Sequence, residues 1–509
     1  MLCFMARRLR SLIQPALFLA LCVMLLALPS QHLVAQTGSG SSLAAPQGDP
    51  GFKALMLSDL HLDALYDPSK VKELASAPVG RWDEILSRPD SPTRAQDAEM
   101  LHKECGGGAD PSPSLFASMT RAIRSDAGEV RFITVSGDFL PHKIDCIFPK
   151  IVPGASPRQY EDFTEKIIEY EVLHVHQALP DAPLYLALGN NDSNCRDDYF
   201  DTGSEWLRGL AKVAKLVVGP AWNKAATESI ERGGYYSVPI AAPMGRTRII
   251  VVNDLLMTGS FKNCAGKADT AAGEKQIEWL RSQLNDAQKH DERVWVLGHI
   301  PPGVSPSGLL RQGPPKGGDM CKPNDRSKSS KSSTAIDVFG DMLIEDASFT
   351  KLALFGHWHD DHMELLEGNG GAVPVKIVPA LDRDRPAFTV AQVDPMTSEL
   401  TDYTVISASD KRGLNWSKEY TFSEAYGQKG FRPDTLRSII AKFGSDPSGT
   451  TRLSQEYLLH WSAGDESSRL RTQQIWPGFV CGMDHAHSVE YKQCVCRSSL
   501  GPLLGAASR

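Results

Sequence analysis

The sequence predicts an α/β fold followed by a C-terminal helical extension. Short runs rich in Val, Ile, Leu and Phe alternate with longer segments of helical apolar spacing. Near residue 409 the strand-like runs cease, and two further helical segments follow. A composition of 41% hydrophobic and 23% charged residues over 509 residues excludes a largely disordered or fibrous chain.

From the N-terminus, Arg7, Arg8 and Arg10 precede an apolar run from Pro15 to Pro29 and a small residue at Ala35. That run is short for a span of ~20 residues. The arrangement fits a secretory signal peptide over residues 1–35, with an uncleaved anchor as the alternative. Leu33 leaves the cleavage site open, and Cys22 after Leu21 makes a poor lipoprotein site. Residues 36–50, rich in Gly, Ser, Ala and Pro, read as a linker. A catalytic domain is expected over 51–408. Its strand-like runs are Phe52–Leu57, Val130–Val135, Leu184–Leu188, Thr247–Val252, Val294–Leu297, Lys351–Phe355 and Val375–Val378. Helical spacing marks Ser114–Arg124, Pro157–Ala178, Ser204–Val217, Gly273–His290 and Ala335–Ile344, as with Ile277, Leu280 and Leu284. Between Ser305 and Ser333 a Gly-, Pro-, Ser- and Lys-rich stretch reads as a solvated functional loop, with anion binding as the alternative for its RSKSSKSS run. Pro433–Phe443 and Leu453–Trp461 place helices in an extension over 409–509. No segment after the signal is long and apolar enough to span a bilayer, so a secreted or periplasmic location is expected.

Charge and cysteines narrow the class. The net charge of −7 argues against general nucleic-acid binding. Beyond the signal lie Cys105, Cys146, Cys195, Cys264, Cys321, Cys481, Cys494 and Cys496. An even number in an exported chain favours disulfides, and without paired CxxC spacing a structural zinc finger is not expected. Cys481 is expected to pair with Cys494, with Cys496 as the alternative.

Five strand-like runs end in metal-ligand residue types. These are Asp59 and His61, then Asp138 after Gly137, Asn190 after Gly189, His299 after Gly298, and His357 and His359 after Gly356. Sites in α/β sheets lie beyond the carboxyl ends of strands, so these ends can converge three oxygens and four imidazoles. That mixture suits zinc, iron or manganese. The preceding glycines permit sharp turns and close backbone approach. Any one motif is weak, whereas the ordered set is strong. His174 and His176, two apart on a helix, do not share a face. His485 and His487 have no evident carboxylate partner in the sequence, and neither pair is expected to bind a functional metal.

The ordered set resembles the calcineurin-like metallophosphoesterases, whose pattern is D-x-H, G-D, G-N-H, G-H and G-H-x-H. The resemblance covers about residues 51 to 405. It implies a four-layer αββα sandwich, two sheets flanked by helices. It also implies that Asp59, His61 and His359 hold one metal, that Asn190, His299 and His357 hold a second, and that Asp138 bridges both. The implied cofactor is a pair of divalent transition-metal ions, Zn first, with Fe or Mn as alternatives. GDFLPH at 137–142, GHIPPG at 298–303 and WSKEYTFSEAYG at 416–427 resemble the acid sphingomyelinase-like phosphodiesterases and the related endopolyphosphatases.

One departure stands out. Asn191 occupies the place of the family's G-N-H histidine, and an amide cannot supply a proton. The resemblance then shifts the proton-donor role to His142, with a structural histidine as the alternative, and leaves Asn191 to donate to a phosphate oxygen. Asp361 matches an acid expected to orient a ligand histidine. Relatives also imply a Cys264–Cys321 disulfide, while Cys105, Cys146, Cys195 and the remaining cysteine stay unassigned. The implied activity is an exported hydrolase that cleaves phosphodiesters by attack of a hydroxide bridging two metals. Its substrate would be a phospholipid head group, a nucleotide or a polyphosphate, with diesters or anhydrides preferred over monoesters. An endopolyphosphatase or nucleotide phosphohydrolase with the same metals is the alternative. A non-catalytic metal- or phosphate-binding protein is the alternative of another class. Oligomeric state stays open.

Overall fold

The runs with the strongest strand reading form the parallel parts of two mixed sheets. A computed structural model of the chain describes residues 51–303, apart from 109 and 241, and residues 335–497. The expected signal and linker, the RSKSSKSS run and Cys321 lie outside the described residues.

Strands β1 (Phe52–Leu57), β2 (Val130–Val135) and β3 (Leu184–Leu186) come first and pair in parallel. The chain then builds a second sheet from β4 (Tyr236–Pro239), β5 (Thr247–Val251), β6 (Arg293–Leu297), β7 (Thr350–Phe355), β8 (His362–Gly368) and β9 (Gly371–Ile377). It returns through β10 (Ala387–Val393), β11 (Leu400–Ala408) and β12 (Trp416–Thr421) to complete the first. The orders are β12-β11-β10-β1-β2-β3 and β4-β5-β6-β7-β9-β8.

Side-chain alternation decides the layers. In the second sheet Ile249, Val251, Trp295 and Leu297 join the core shared with the first sheet. Their neighbours Ile250, Val294, Val296 and Phe355 pack on Leu280 and Leu284 of helix Thr270–Lys289 and on Phe339 and Leu343 of helix Ala335–Glu345. The Phe132 ring of β2 meets Trp295 of β6 edge-on at 5.5 Å, and Trp295 Nε1 donates to Ser398 O at 2.7 Å, tying the sheets face to face. Helices Pro113–Asp126 and Pro157–Ala178 add Phe116, Met119, Phe163 and Ile167 to the same core. The longer of these starts at a capping box, Ser156 with Gln159, with Pro157 at the first helical position. This is the expected layering of two sheets with helices outside.

The extension differs from expectation in one respect: strands do not stop near 409. WSKEYT forms β12, antiparallel to β11. As an edge strand it exposes Ser417 and Lys418, so its apolar alternation is faint in the sequence. Strand β8 was missed because it buries the polar His362 and Glu364. Helices Pro433–Gly444 and Trp476–Asp484 pack on β8, where Tyr457, Trp461 and Phe479 ring His362. The extension thereby covers an open sheet edge.

Disulfides join Cys105 to Cys146, Cys195 to Cys264, and Cys481 to Cys494. The expected Cys264–Cys321 pairing is corrected. Phe200 N donates to Lys262 O at 3.0 Å and Cys264 N to Asp201 Oδ1 at 2.9 Å, which brings Cys264 to a Cα distance of 5.8 Å from Cys195. Because this bond closes a 69-residue separation, replacing both cysteines by serine should lower unfolding free energy by about 4 kcal/mol on loop-entropy grounds. Denaturant unfolding reads that loss, and non-reducing peptide mapping should recover the Cys195–Cys264 peptide; a Cys264–Cys321 peptide would contradict the pairing.

Candidate metal centre

The strand ends deliver their polar residues to one place between the sheets. Asp59 and His61 leave β1, Asp138 leaves β2, and Asn190 follows β3; His299 leaves β6, and His357 and His359 leave β7. All come from the carboxyl ends of parallel strands. The chain turns abruptly to do this: Asp59, His61, Asp138, His357 and His359 all have positive φ, from 42° to 71°. For residues with a Cβ that conformation costs roughly 1–2 kcal/mol each and persists only where surroundings enforce it. At Gly137, φ is 84° and an added Cβ would fall 2.6 Å from Gly189 N. At Gly356 it would fall 1.9 Å from Ser58 Oγ, so the β1 and β7 exits can cross only with glycine there.

Carboxylates outside the ligand set, the buried Asp192 and Asp254 and the half-buried Asp197, enforce the turns. Asp192 accepts from four backbone amides: Asp138, Phe139, Leu140 and Gly189, at 2.8–3.0 Å. Asp254, after β5, accepts His299 N at 2.6 Å. Asp197 accepts Asn190 Nδ2 at 3.0 Å, which turns Asn190 Oδ1 toward His299 Nε2, 3.2 Å away.

Beside a group of His61, His142, His359 and Asp382, two groups of metal-ligand atoms overlap at one carboxylate. Asp59, His61, Asp138 and His359 each offer an atom within 4.8 Å of the others, as do Asp138, His299 and His357. Asp138 is common to both. His61 Nδ1 faces Leu140 O at 2.8 Å, His299 Nδ1 faces Ser136 O at 2.7 Å, and His359 Nδ1 faces Asp382 O at 2.8 Å. A carbonyl only accepts, so each Nδ1 carries a proton and each Nε2 is the atom turned toward the other ligand-type residues. His61 Nε2 and His359 Nε2 stand 3.3 Å apart, with Asp59 Oδ1 3.3 Å from the latter. Two nitrogens so placed are satisfied by a shared proton or by a metal ion beside them, and this donor set fits a divalent metal. His299 Nε2 lies 3.1 Å from Asp138 Oδ2 in the second group.

The electrostatics agree. Burial first, and then the neighbouring His142 and His359, hold His61 well below its usual value against the pull of Asp138. Burial would also lower His299, but the adjacent Asp138 carboxylate overrides it and pushes His299 up to about 10. Burial opposes ionisation of Asp138, yet His299 and His61 keep it well below the carboxylate range.

His142 stacks on His61 with ring centroids 4.2 Å apart, and its Nδ1 lies 2.7 Å from Asp110 Oδ1. Three sequence expectations are corrected. Asn191 does not turn its amide outward for a phosphate; its Nδ2 donates to Asp138 Oδ2 at 2.8 Å and its N to Oδ1 at 2.9 Å. Being shorter than histidine, it grips the shared carboxylate. Asp361 does not orient a ligand histidine: Lys376 and Tyr420 take its carboxylate. His485 and His487 do have carboxylate partners, Asp484 and Asp341. Sequence reading missed Asp110, Asp192, Asp197, Asp254 and Asp382. Asp254 and Asp382 follow β5 and β9, so the strand-exit rule would have reached them; Asp110 carries no such signal.

No family model matches the chain. Among curated proteins it is similar to acid sphingomyelinase-like phosphodiesterase 3b of Homo sapiens, 24% identical over 90% of this chain and 92% of the relative. It is likewise similar to a cyclic GMP-AMP phosphodiesterase of Mus musculus, 23% identical over 86% of this chain and 90% of the relative. Its homologues are acid sphingomyelinase-like phosphodiesterases. Among solved structures, a dimetal phosphatase from Danio rerio aligns with 73% of this chain and 99% of its own, at 11% identity and a TM-score of 0.38.

The proton on His299 gives a test. With His299 raised to about 10, the metal-free centre is protonated through the neutral range, and an incoming ion must displace that proton. Affinity should therefore climb as pH rises, by up to about tenfold per unit between ~6 and ~8. Calorimetric titration of metal-free protein with Zn2+ reads this slope together with proton release; a flat profile would contradict the assignment.

Proposed function

We propose that the chain is an extracytoplasmic two-metal phosphodiesterase of the acid sphingomyelinase-like kind, with zinc at both positions. The observation that supports this most is the pair of ligand groups sharing Asp138. Asp59, His61 and His359 would hold one ion with Asp138, and Asn190, His299 and His357 the other. Two divalent ions supply neutralisation of phosphate oxygens and activation of water for in-line attack.

The chain's own residues do the rest. Asp138 is clamped by Asn191, so the carboxylate between the two positions cannot swing. His142 serves as proton donor to the leaving oxygen. Burial lowers its basicity, but the hydrogen bond and charge of Asp110 outweigh that and raise it to about 9, so the ring carries a proton at neutral pH. Asp110 receives Nδ1, which leaves Nε2 as the donor, in the manner of a carboxylate orienting a catalytic imidazole. A cavity of about 850 Å³ opens beside His359, Asp110 and Asp382 and offers room for the leaving group. Its wall charges are of both signs, and Lys411 is paired with Asp384 and Arg412 with Asp410. Such a wall suits a diester of low net charge better than a polyphosphate chain. Disulfides on the described residues, and the absence among them of a helix long and apolar enough to cross a membrane, accord with export by the N-terminal segment.

The direct test is turnover by zinc-loaded protein of a panel holding diesters, monoesters, nucleotides, phospholipids and polyphosphate. Diesters should turn over best; preference for monoesters would refute the branch while sparing the metal reading. His142→Ala should slow diesters with alkyl leaving groups by about 10²–10⁴-fold and nitrophenyl diesters far less. Equal slowing of both would remove the proton-donor role. Asp110→Asn deletes the charge that raises His142, so the alkaline limb of the alkyl-diester rate profile should move to lower pH; an unmoved limb would contradict the dyad.

A further inference from the structure

Arg383 is only 9% exposed and immediately follows Asp382. Its Nη2 donates to His460 O at 3.1 Å, while Nε and Nη1 have no hydrogen-bond partner among the described residues. The carboxylates of Asp360 and Glu419 lie near enough to feel its charge, and burial makes each of the guanidinium's few contacts costly to lose.

What it holds is the short segment 380–383 after β9. That segment straps the first metal position. Ala380 N donates to His359 O at 3.3 Å, Leu381 N to Ser58 O at 3.3 Å and Asp382 N to Asp59 O at 3.2 Å. Asp382 O in turn accepts His359 Nδ1, the bond that aims His359 Nε2. The strap's hydrogen bonds reach Asp59 and His359 but not Asn190 or His299, whose places are set by Asp197 and Asp254, nor His357, whose N donates to the Asp59 carboxylate at 3.1 Å.

At its far end Arg383 is anchored on the extension. His460 belongs to helix Arg452–Trp461. Its ring stacks on Tyr420 at 3.8 Å and its Nδ1 lies 3.1 Å from Glu419 Oε1, both residues of β12. The carbonyl that receives Arg383 is thus itself fixed.

We propose that Arg383 is a positioning residue through which the C-terminal extension holds the 380–383 strap, and with it His359, so that the extension sets the affinity of the first metal position but not the second. The inference rests on the two-metal reading given above.

Titration of metal-free protein with Co2+, followed by visible absorbance, separates the two. Wild-type protein should take up two equivalents. Arg383→Met, which keeps much of the volume, should bind one equivalent as wild type does and the other about 10- to 100-fold more weakly, as loss of an orienting partner does. Arg383→Lys keeps the charge but not the fork, and should show the same selective loss to a smaller degree; it carries the test should Arg383→Met fail to fold. Two equivalents at wild-type affinity in a folded variant, or equal weakening of both, would overturn the inference while leaving the two-metal reading intact. Fewer than two equivalents in wild type would overturn that reading, and this inference with it.

Discussion

Two imidazole nitrogens, His61 Nε2 and His359 Nε2, face each other 3.3 Å apart, the first ring buried and the second partly open to solvent. Main-chain carbonyls on the far side of each ring commit the Nδ1 protons. Neither ring can turn to relieve the opposition without giving up its hydrogen bond to the main chain, so the pocket favours a cation. The second position repeats the logic with one change: His299 faces Asp138 and Asn190 oxygens, and between binding events a proton on His299 can satisfy them.

Much of the fold answers to this constraint. Parallel strands of two separate sheets end at the same level, and their exits cross within contact distance, which positive φ at the ligand residues and glycine at 137 and 356 allow. The turns are not self-supporting. A single buried carboxylate, Asp192, collects four amides from the two loops that carry Asp138 and Asn190. Asp254 and the strap ending at Arg383 do comparable service for His299 and His359. The metal positions therefore sit on rigid supports, as chemistry that depends on sub-ångström placement requires.

The α/β class and the seven ligand-type residues could be read from sequence because both leave local marks: apolar runs, and acids or histidines directly after them. The structure brings those seven together. Less could be read where the determinant was long-range. The disulfide partner of Cys264 depends on two loops meeting across 69 residues, and β12 depends on an edge to pair with. Asn191 was placed by analogy with a longer side chain and instead reaches back to Asp138. Asp361 kept its expected position in the chain but lost its expected role, because buried Lys376 claims it. Asp110 lies in a loop without periodicity, and only its contact with His142 reveals it.

On the proposed function, Asp138 stands between two metal ions. Anomalous scattering from a crystal of the zinc-loaded protein, collected at the metal absorption edge, addresses it directly. Two peaks about 3.5–4 Å apart are expected, one on each side of the Asp138 carboxylate. A single peak, or peaks that do not share Asp138, would contradict it.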